Sequence, residues 1–150
     1  MCFTYGAWFG CEALAVAGED ASTPGTPARR AADFLLSKQR PDGGWGESYL
    51  SCQDKEYAQL EGDVSHCVNT AWALQALVAV KYHLVDRAPL DAAARCLVAQ
   101  QLASGDWPQQ HISGVFNRNC AITYANYRNV FPIWALGAYK AAVAEGGARP

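Results

Sequence analysis

The sequence predicts an all-α protein built from helix hairpins that repeat at about 60 residues, and three observations carry that prediction. A block of the form Gln39…Gly43-Gly44-Trp45 recurs as Gln101…Gly105-Asp106-Trp107, with the two tryptophans 62 residues apart. The same spacing of 62 carries Trp72-Ala73-Leu74 onto Trp134-Ala135-Leu136, so two independent landmarks share one register. Apolar residues follow a helical period, and no stretch alternates with period two for long enough to make a strand core. The segment from Tyr49 to Tyr57 is irregular.

Taken in order, the chain opens on Tyr5-Gly6-Ala7-Trp8-Phe9-Gly10 and Glu12 to Ala17, a weaker copy of the second landmark with Trp8 lying 64 residues before Trp72. This opening is apolar enough to imitate a secretory signal and contains Ala15-Val16-Ala17. It has no positive n-region and Glu12 interrupts it, so a repeat element is the better reading. The next helix is marked by Ala31, Phe34, Leu35 and Lys38 at i, i+3, i+4, i+7, by Pro27 near its start and by Pro41-Asp42-Gly43-Gly44 as its stop. Asn69 to Tyr82 is apolar on almost every side, the pattern of a helix buried between neighbours. Pro89-Leu90-Asp91 opens a helix running through Leu102, Ser104-Gly105 ends it, and Ile133 to Ala144 closes the series. A helix pair cannot bury its apolar face alone, so such pairs stack into a solenoid or close into a ring, and about two and a half pairs form an arc.

Composition narrows the function. With 51% hydrophobic and 17% charged residues among 150, the chain is a packed one. Its net charge of −2 offers no basic footprint, so nucleic acid is not an expected partner. No stretch approaches the roughly 18 apolar residues of a membrane-spanning helix. Cys2, Cys11, Cys52, Cys67, Cys96 and Cys120 are scattered without a C-x-x-C pair, which reads as reduced, buried thiols inside a cell.

Residues shared by the copies are most simply scaffold. In both blocks glycine (Gly43, Gly105) supplies the bend after a helix, the Gln39 or Gln101 amide bonds exposed backbone groups, and the Trp45 or Trp107 indole covers the junction. Residues present in one copy are the candidates for function. Applying the spacing of 62, Phe116 corresponds to Asp54, Tyr124 to Gly62 and Tyr127 to Ser65, so the last copy places rings where the middle copy is polar or small. The stretch from Gly114 to Asn129 is therefore read either as core aromatics or as an aromatic wall facing a cavity. Such walls suit the stabilisation of cations, because a ring face attracts positive charge without offering a lone pair that would quench it. Each face contributes about 0.5–2 kcal/mol, and about 1.4 kcal/mol is a factor of ten in rate.

The two Gln-Gly-Trp blocks, Met1 to Gly10, Gly43 to Cys52, and the run from Gly114-Val115-Phe116-Asn117 through Tyr127-Arg128-Asn129-Val130-Phe131-Pro132-Ile133-Trp134-Ala135-Leu136-Gly137 resemble the C-terminal end of eukaryotic oxidosqualene cyclases. The wording Gly46 to Gln53 is more similar to plant and algal cycloartenol synthases than to animal lanosterol synthases. The resemblance implies an α/α toroid, with residues 1–150 as an incomplete C-terminal part of its barrel and 145–150 as a flexible tail. It also implies a cavity in which 2,3-oxidosqualene is folded, its epoxide opened by a protonated aspartic acid, and a carbocation carried through successive ring closures. By motif position Trp8 would face the cation during early ring formation, Phe116 the late cation, and Tyr124 and Tyr127 would wall that end.

One departure limits this reading. The family's acid lies in an Asp-Cys-Thr-Ala-Glu motif, and the chain has no such run. Asp20, Asp33, Asp42, Asp54, Asp63, Asp86, Asp91 and Asp106 sit in turn or helix-surface contexts, and none is nominated, so no catalytic residue is expected within the chain. The expectation is a C-terminal portion of a cyclase, inactive alone, whose partner is the missing N-terminal part of the same enzyme. Peripheral association with the endoplasmic reticulum membrane or a lipid droplet, on the cytoplasmic side, follows from the resemblance only. Two other readings stay open. A protein prenyltransferase β subunit uses a similar toroid with zinc, and Cys52, Asp54 and His66 or His111 are zinc-donor types. That family's Asp-x-Cys order is reversed in Cys52-Gln53-Asp54, however, and no metal or cofactor is expected. The alternative to an enzyme is a lipid-binding or partner-binding toroid remnant.

Overall fold

The computed structural model describes residues 3–62, 64–116 and 120–147. In chain order the elements are α1 (Phe3–Val16), α2 (Pro27–Leu36), α3 (Leu50–Asp54), α4 (Cys67–Ala79), a 3-10 turn (Tyr82–Leu84), α5 (Ala88–Ala99), β1 (Gly114–Phe116), β2 (Cys120–Ile122) and α6 (Ala125–Gly147). α2 starts as its sequence dictates: Thr26 caps it, accepting from the Arg29 N–H at 3.2 Å, and Pro27 fills the first turn, where a missing N–H costs nothing.

α4 is the centre of the molecule. It is buried continuously from Cys67 to Leu77 and packs against both α1 and α6, while α2 lies against α1 and α5 against α4. Three helices thus face one another and two stand behind them, the arrangement expected for an arc of helix hairpins. The core runs through this layer, with Leu35, Trp45, Trp72, Leu74, Leu77, Leu90, Leu97 and Trp107 almost wholly removed from solvent.

Both Gln-Gly-Trp blocks close the helix before them with one set of bonds. Gly43 and Gly105 take φ +87, a left-handed turn open to glycine at little cost. The Gln39 and Gln101 amides donate to the carbonyls of Gly43 and Gly105, each at 2.8 Å. The Trp45 indole N–H donates to the Leu35 carbonyl at 2.7 Å and that of Trp107 to the Leu97 carbonyl at 2.8 Å, satisfying an end of α2 and an end of α5. The register of 62 read from sequence therefore extends to the hydrogen bonds.

Four expectations are corrected. The irregular segment from Tyr49 to Tyr57 contains the short helix α3. An antiparallel hairpin pairs Gly114 with Ile122 and Phe116 with Cys120, in strands of three residues, too short to leave an alternating pattern. The last helix begins at Ala125 instead of Ile133 and passes through Pro132. Cys11, Cys67 and Cys96 are buried free thiols as expected, but Cys120 is exposed and Cys52 is disulfide-bonded. Spacing in sequence carries no information about which cysteines the fold brings within bonding distance. Cys2, Asp63, Asn117, Arg118 and Asn119 lie outside the described residues, as do residues 148–150 of the expected tail, whereas residues 145–147 continue α6. Among the described residues no helix is long and apolar enough to cross a membrane.

Candidate functional site: an aromatic cavity

Two of the three facing helices, α1 and α4, are set in place at their N-terminal ends. The Glu47 carboxylate, wholly buried two residues after Trp45, accepts from the amides of Phe3 and Thr4 at 3.0 and 2.8 Å, while the Glu47 N–H donates to Asn69 Oδ1 of α4 at 3.1 Å. The two amides are first-turn donors of α1 that have no partner within the helix, so the buried side chain and the helix end satisfy each other. The second copy uses a neutral amide in the same way, with Gln110 Oε1 accepting from the Cys67 N–H at 2.7 Å. His66 caps α4: its Nδ1 accepts from the Val68 N–H at 3.1 Å and its Nε2 donates to the His111 carbonyl at 3.1 Å. Burial pushes this imidazole down to about 4, which keeps Nδ1 free to accept.

Between α1, α4, the β1–β2 hairpin and the start of α6 lies a cavity of about 410 Å³. Its rings are Tyr5, Trp72, Phe116, Tyr124 and Tyr127, with Ser113, Gly114 and Val115 from the hairpin side and Cys52 of α3 completing the lining. Tyr124 and Tyr127 stack, centroids 4.5 Å apart and planes 21° apart. Trp72 meets Tyr127 edge-on at 5.9 Å and Tyr5 at 4.9 Å. Gly114 is required where it stands, because a Cβ there would lie 2.4 Å from Tyr124 Cε2. Among the described residues no carboxylate lines the cavity. The Tyr127 phenol is held above its usual range, first by burial and then by Tyr5 and Tyr124, so its ring stays neutral.

Of the four ring residues nominated from sequence, three come together here: Phe116, Tyr124 and Tyr127. Trp8 stands one layer back. It is buried, parallel to Trp72 at 6.5 Å, and edge-on to Phe131 at 5.4 Å and Trp134 at 5.7 Å. Tyr5 and Trp72 were missed as cavity residues. Tyr5 could have been found by the rule that selected Phe116, since the spacing of 64 places it opposite Asn69 of the middle copy. Trp72 could not, because it is common to the copies and reads as scaffold.

The zinc-donor types do not assemble. Cys52 is disulfide-bonded, His66 has both ring nitrogens engaged by backbone, and no group of three or more His, Cys, Asp or Glu is placed to hold a metal among the described residues. A second hollow of about 520 Å³ carries Glu61, His111, Tyr49 and Thr123 and includes none of the nominated rings.

A neutral, ring-lined cavity can hold a hydrocarbon and stabilise positive charge moving through it. It can supply no proton from a carboxyl group of its described lining. The chain is 48% identical over 141 residues to lanosterol synthase of Homo sapiens and 50% identical over 139 residues to cycloartenol synthase of Dictyostelium discoideum, each match covering 93% of this chain and 19% of the relative. It is 43% identical over 140 residues to alpha-onocerin synthase of Lycopodium clavatum, covering 93% of this chain and 18% of that protein. The chain thus spans about a fifth of the length of these relatives, and the near-equal identities do not divide lanosterol from cycloartenol synthases. Residues 1–141 match the model of the squalene-hopene cyclase C-terminal domain, and the chain belongs to that family.

Proposed function

We propose that this chain forms the C-terminal arc of an oxidosqualene cyclase, an intramolecular transferase that converts 2,3-oxidosqualene into a cyclic sterol precursor such as lanosterol or cycloartenol. The observation that carries the proposal is the convergence of Tyr5, Trp72, Phe116, Tyr124 and Tyr127 on one cavity whose described lining holds no carboxylate. Its role is the cation-stabilising wall. The acid that opens the epoxide comes from elsewhere in the enzyme, and the chain alone turns over no substrate. Trp8, stacked behind Trp72, acts on the same cation either directly or through that indole. Phe9, Val130, Ile133 and Trp134 leave apolar surface uncovered, which suits contact with the rest of a toroid and with a hydrocarbon. Peripheral placement on the endoplasmic reticulum membrane or a lipid droplet belongs to the same proposal, and fractionation of the tagged protein tests it.

The decisive experiment replaces the corresponding segment of human lanosterol synthase by residues 1–141 and supplies 2,3-oxidosqualene. The expected result is cyclic triterpene from the chimera and none from the isolated chain. In the chimera Phe116→Ala shifts the product distribution, because a placed ring face is lost while the rest of the wall remains. A folded chimera that releases no cyclic product, together with lipid binding by the isolated chain, would instead establish a binding remnant.

A further inference from the structure

The middle and last copies begin their facing helices differently. α4 starts at Cys67, whose counterpart in the register of 62 is Asn129, but α6 starts at Ala125, a full turn earlier. The added turn carries Tyr127 and follows directly on Tyr124, so it is the turn that delivers the stacked pair to the cavity. In the middle copy the helix hangs from its block through the backbone, the His66 N–H donating to the Trp45 carbonyl at 2.7 Å. Arg128 stands at the position of His66, and its guanidinium both donates to the Trp107 carbonyl and pairs with the Asp106 carboxylate. Asp106 stands at the position of Gly44, where a side chain has no room, since a Cβ there would lie 2.4 Å from the Ser65 Cβ. Both members of the pair are therefore devices of the last copy alone.

We propose that Arg128 is a positioning residue. By tying the added turn of α6 to Asp106 and the Trp107 carbonyl, it sets where the Tyr124 and Tyr127 faces stand in the cavity, without lining the cavity itself. The second block keeps its own bonds, Gln101 to Gly105 and Trp107 to Leu97, without Arg128, so losing the pair frees the turn more than it unfolds the junction. This inference rests on the reading of the cavity as a cation wall.

The test uses Arg128→Gln, Arg128→Lys and Asp106→Asn in two settings. In the lanosterol synthase chimera, Arg128→Gln and Asp106→Asn are expected to raise the ratio of by-products to main product by about threefold or more, with KM little changed. Arg128→Lys, which keeps the charge but not the fork, recovers part of the difference. In the isolated chain, the same Gln and Asn variants are expected to lose near-ultraviolet circular dichroism from the stacked tyrosines while melting within a few degrees of the parent. An unchanged product ratio in folded, active variants overturns the inference. So does an unchanged tyrosine signal, which decides the matter if the parent chimera is inactive and the cyclase reading itself has failed. Should Arg128→Gln not fold, the product ratio and tyrosine signal of Asp106→Asn decide between the same two outcomes.

Discussion

The first Gln-Gly-Trp block joins two helices, while the second makes the same local bonds without a second helix against its glycine among the described residues. Gln39 donates to the Gly43 carbonyl and also to that of Pro89 in the first turn of α5, at 2.9 Å, and a Cβ on Gly43 would lie 2.6 Å from the Ala92 backbone. Among the described residues Gln101, which is exposed, has only its local side-chain bond, and none comes within 4 Å of a Cβ built on Gly105. The block is thus a self-contained helix stop that becomes an inter-helix joint when a neighbour arrives. Its residues have two functions, and only the first is exercised in both copies.

Substitutions at matched positions measure how far the two blocks are equivalent. The largest expected effect lies in what the copies share. Trp45→Ala and Trp107→Ala should each destabilise the chain by about 3–5 kcal/mol, since both indoles are buried and both hold a helix-end carbonyl. Urea midpoints measure this, and an unchanged midpoint for either would deny the shared role.

The helix starts that follow the blocks should differ in their response to acid. His66 has a folded pKa of about 4, below its ordinary value of 6.5, so between those pH values the unfolded chain binds the extra proton. Its contribution is complete above about 6.5 and is lost as pH falls towards 4, a change of about 3 kcal/mol. His66→Gln should remove most of that slope in pH-dependent urea titrations, leaving the part due to His83, which burial also lowers. Arg128 takes this place in the last copy, so no imidazole stands there. A variant that keeps the full slope would place the titration elsewhere.

The glycines isolate the neighbour. Gly105→Ala meets only backbone strain at φ +87, whereas Gly43→Ala meets that strain and the Ala92 backbone as well, and should cost about 2 kcal/mol more. Smallest is the glutamine difference. Gln39→Ala loses the joint to Pro89 along with the local bond, so it should exceed Gln101→Ala by about 1 kcal/mol in thermal or urea unfolding. Equal losses within either pair would mean that α5 adds nothing to the first joint.

The parts of the molecule legible in sequence are those closed by short-range bonds. Trp45 and Leu35 are ten residues apart, as are Trp107 and Leu97, so the same local pattern produces the same stop wherever it occurs. The caps on the facing helices were not legible. Glu47 reaches back to Phe3 and Thr4, and Gln110 to Cys67, across more than 40 residues. Nothing in the sequence near Glu47 marks it as the partner of a helix start. Three of the five cavity rings were legible. Phe116, Tyr124 and Tyr127 stood out because they break the repeat, whereas Trp72 conforms to the repeat and yet lines the cavity.

The spacing of 62, the helix stops, the ring types of the last copy and, through the motifs, the family are all properties of the residue order. Which rings share a cavity, that Trp8 stands behind Trp72, and that α6 begins early enough to present Tyr127 emerge only when the helices pack. The distinction is one of range. A helix stop is satisfied by backbone and side-chain groups a few residues apart, so its energy is written into a short segment. A cavity is made by faces from α1, α4, the hairpin and α6, and their mutual placement depends on caps, packing and one ion pair that join distant parts of the chain.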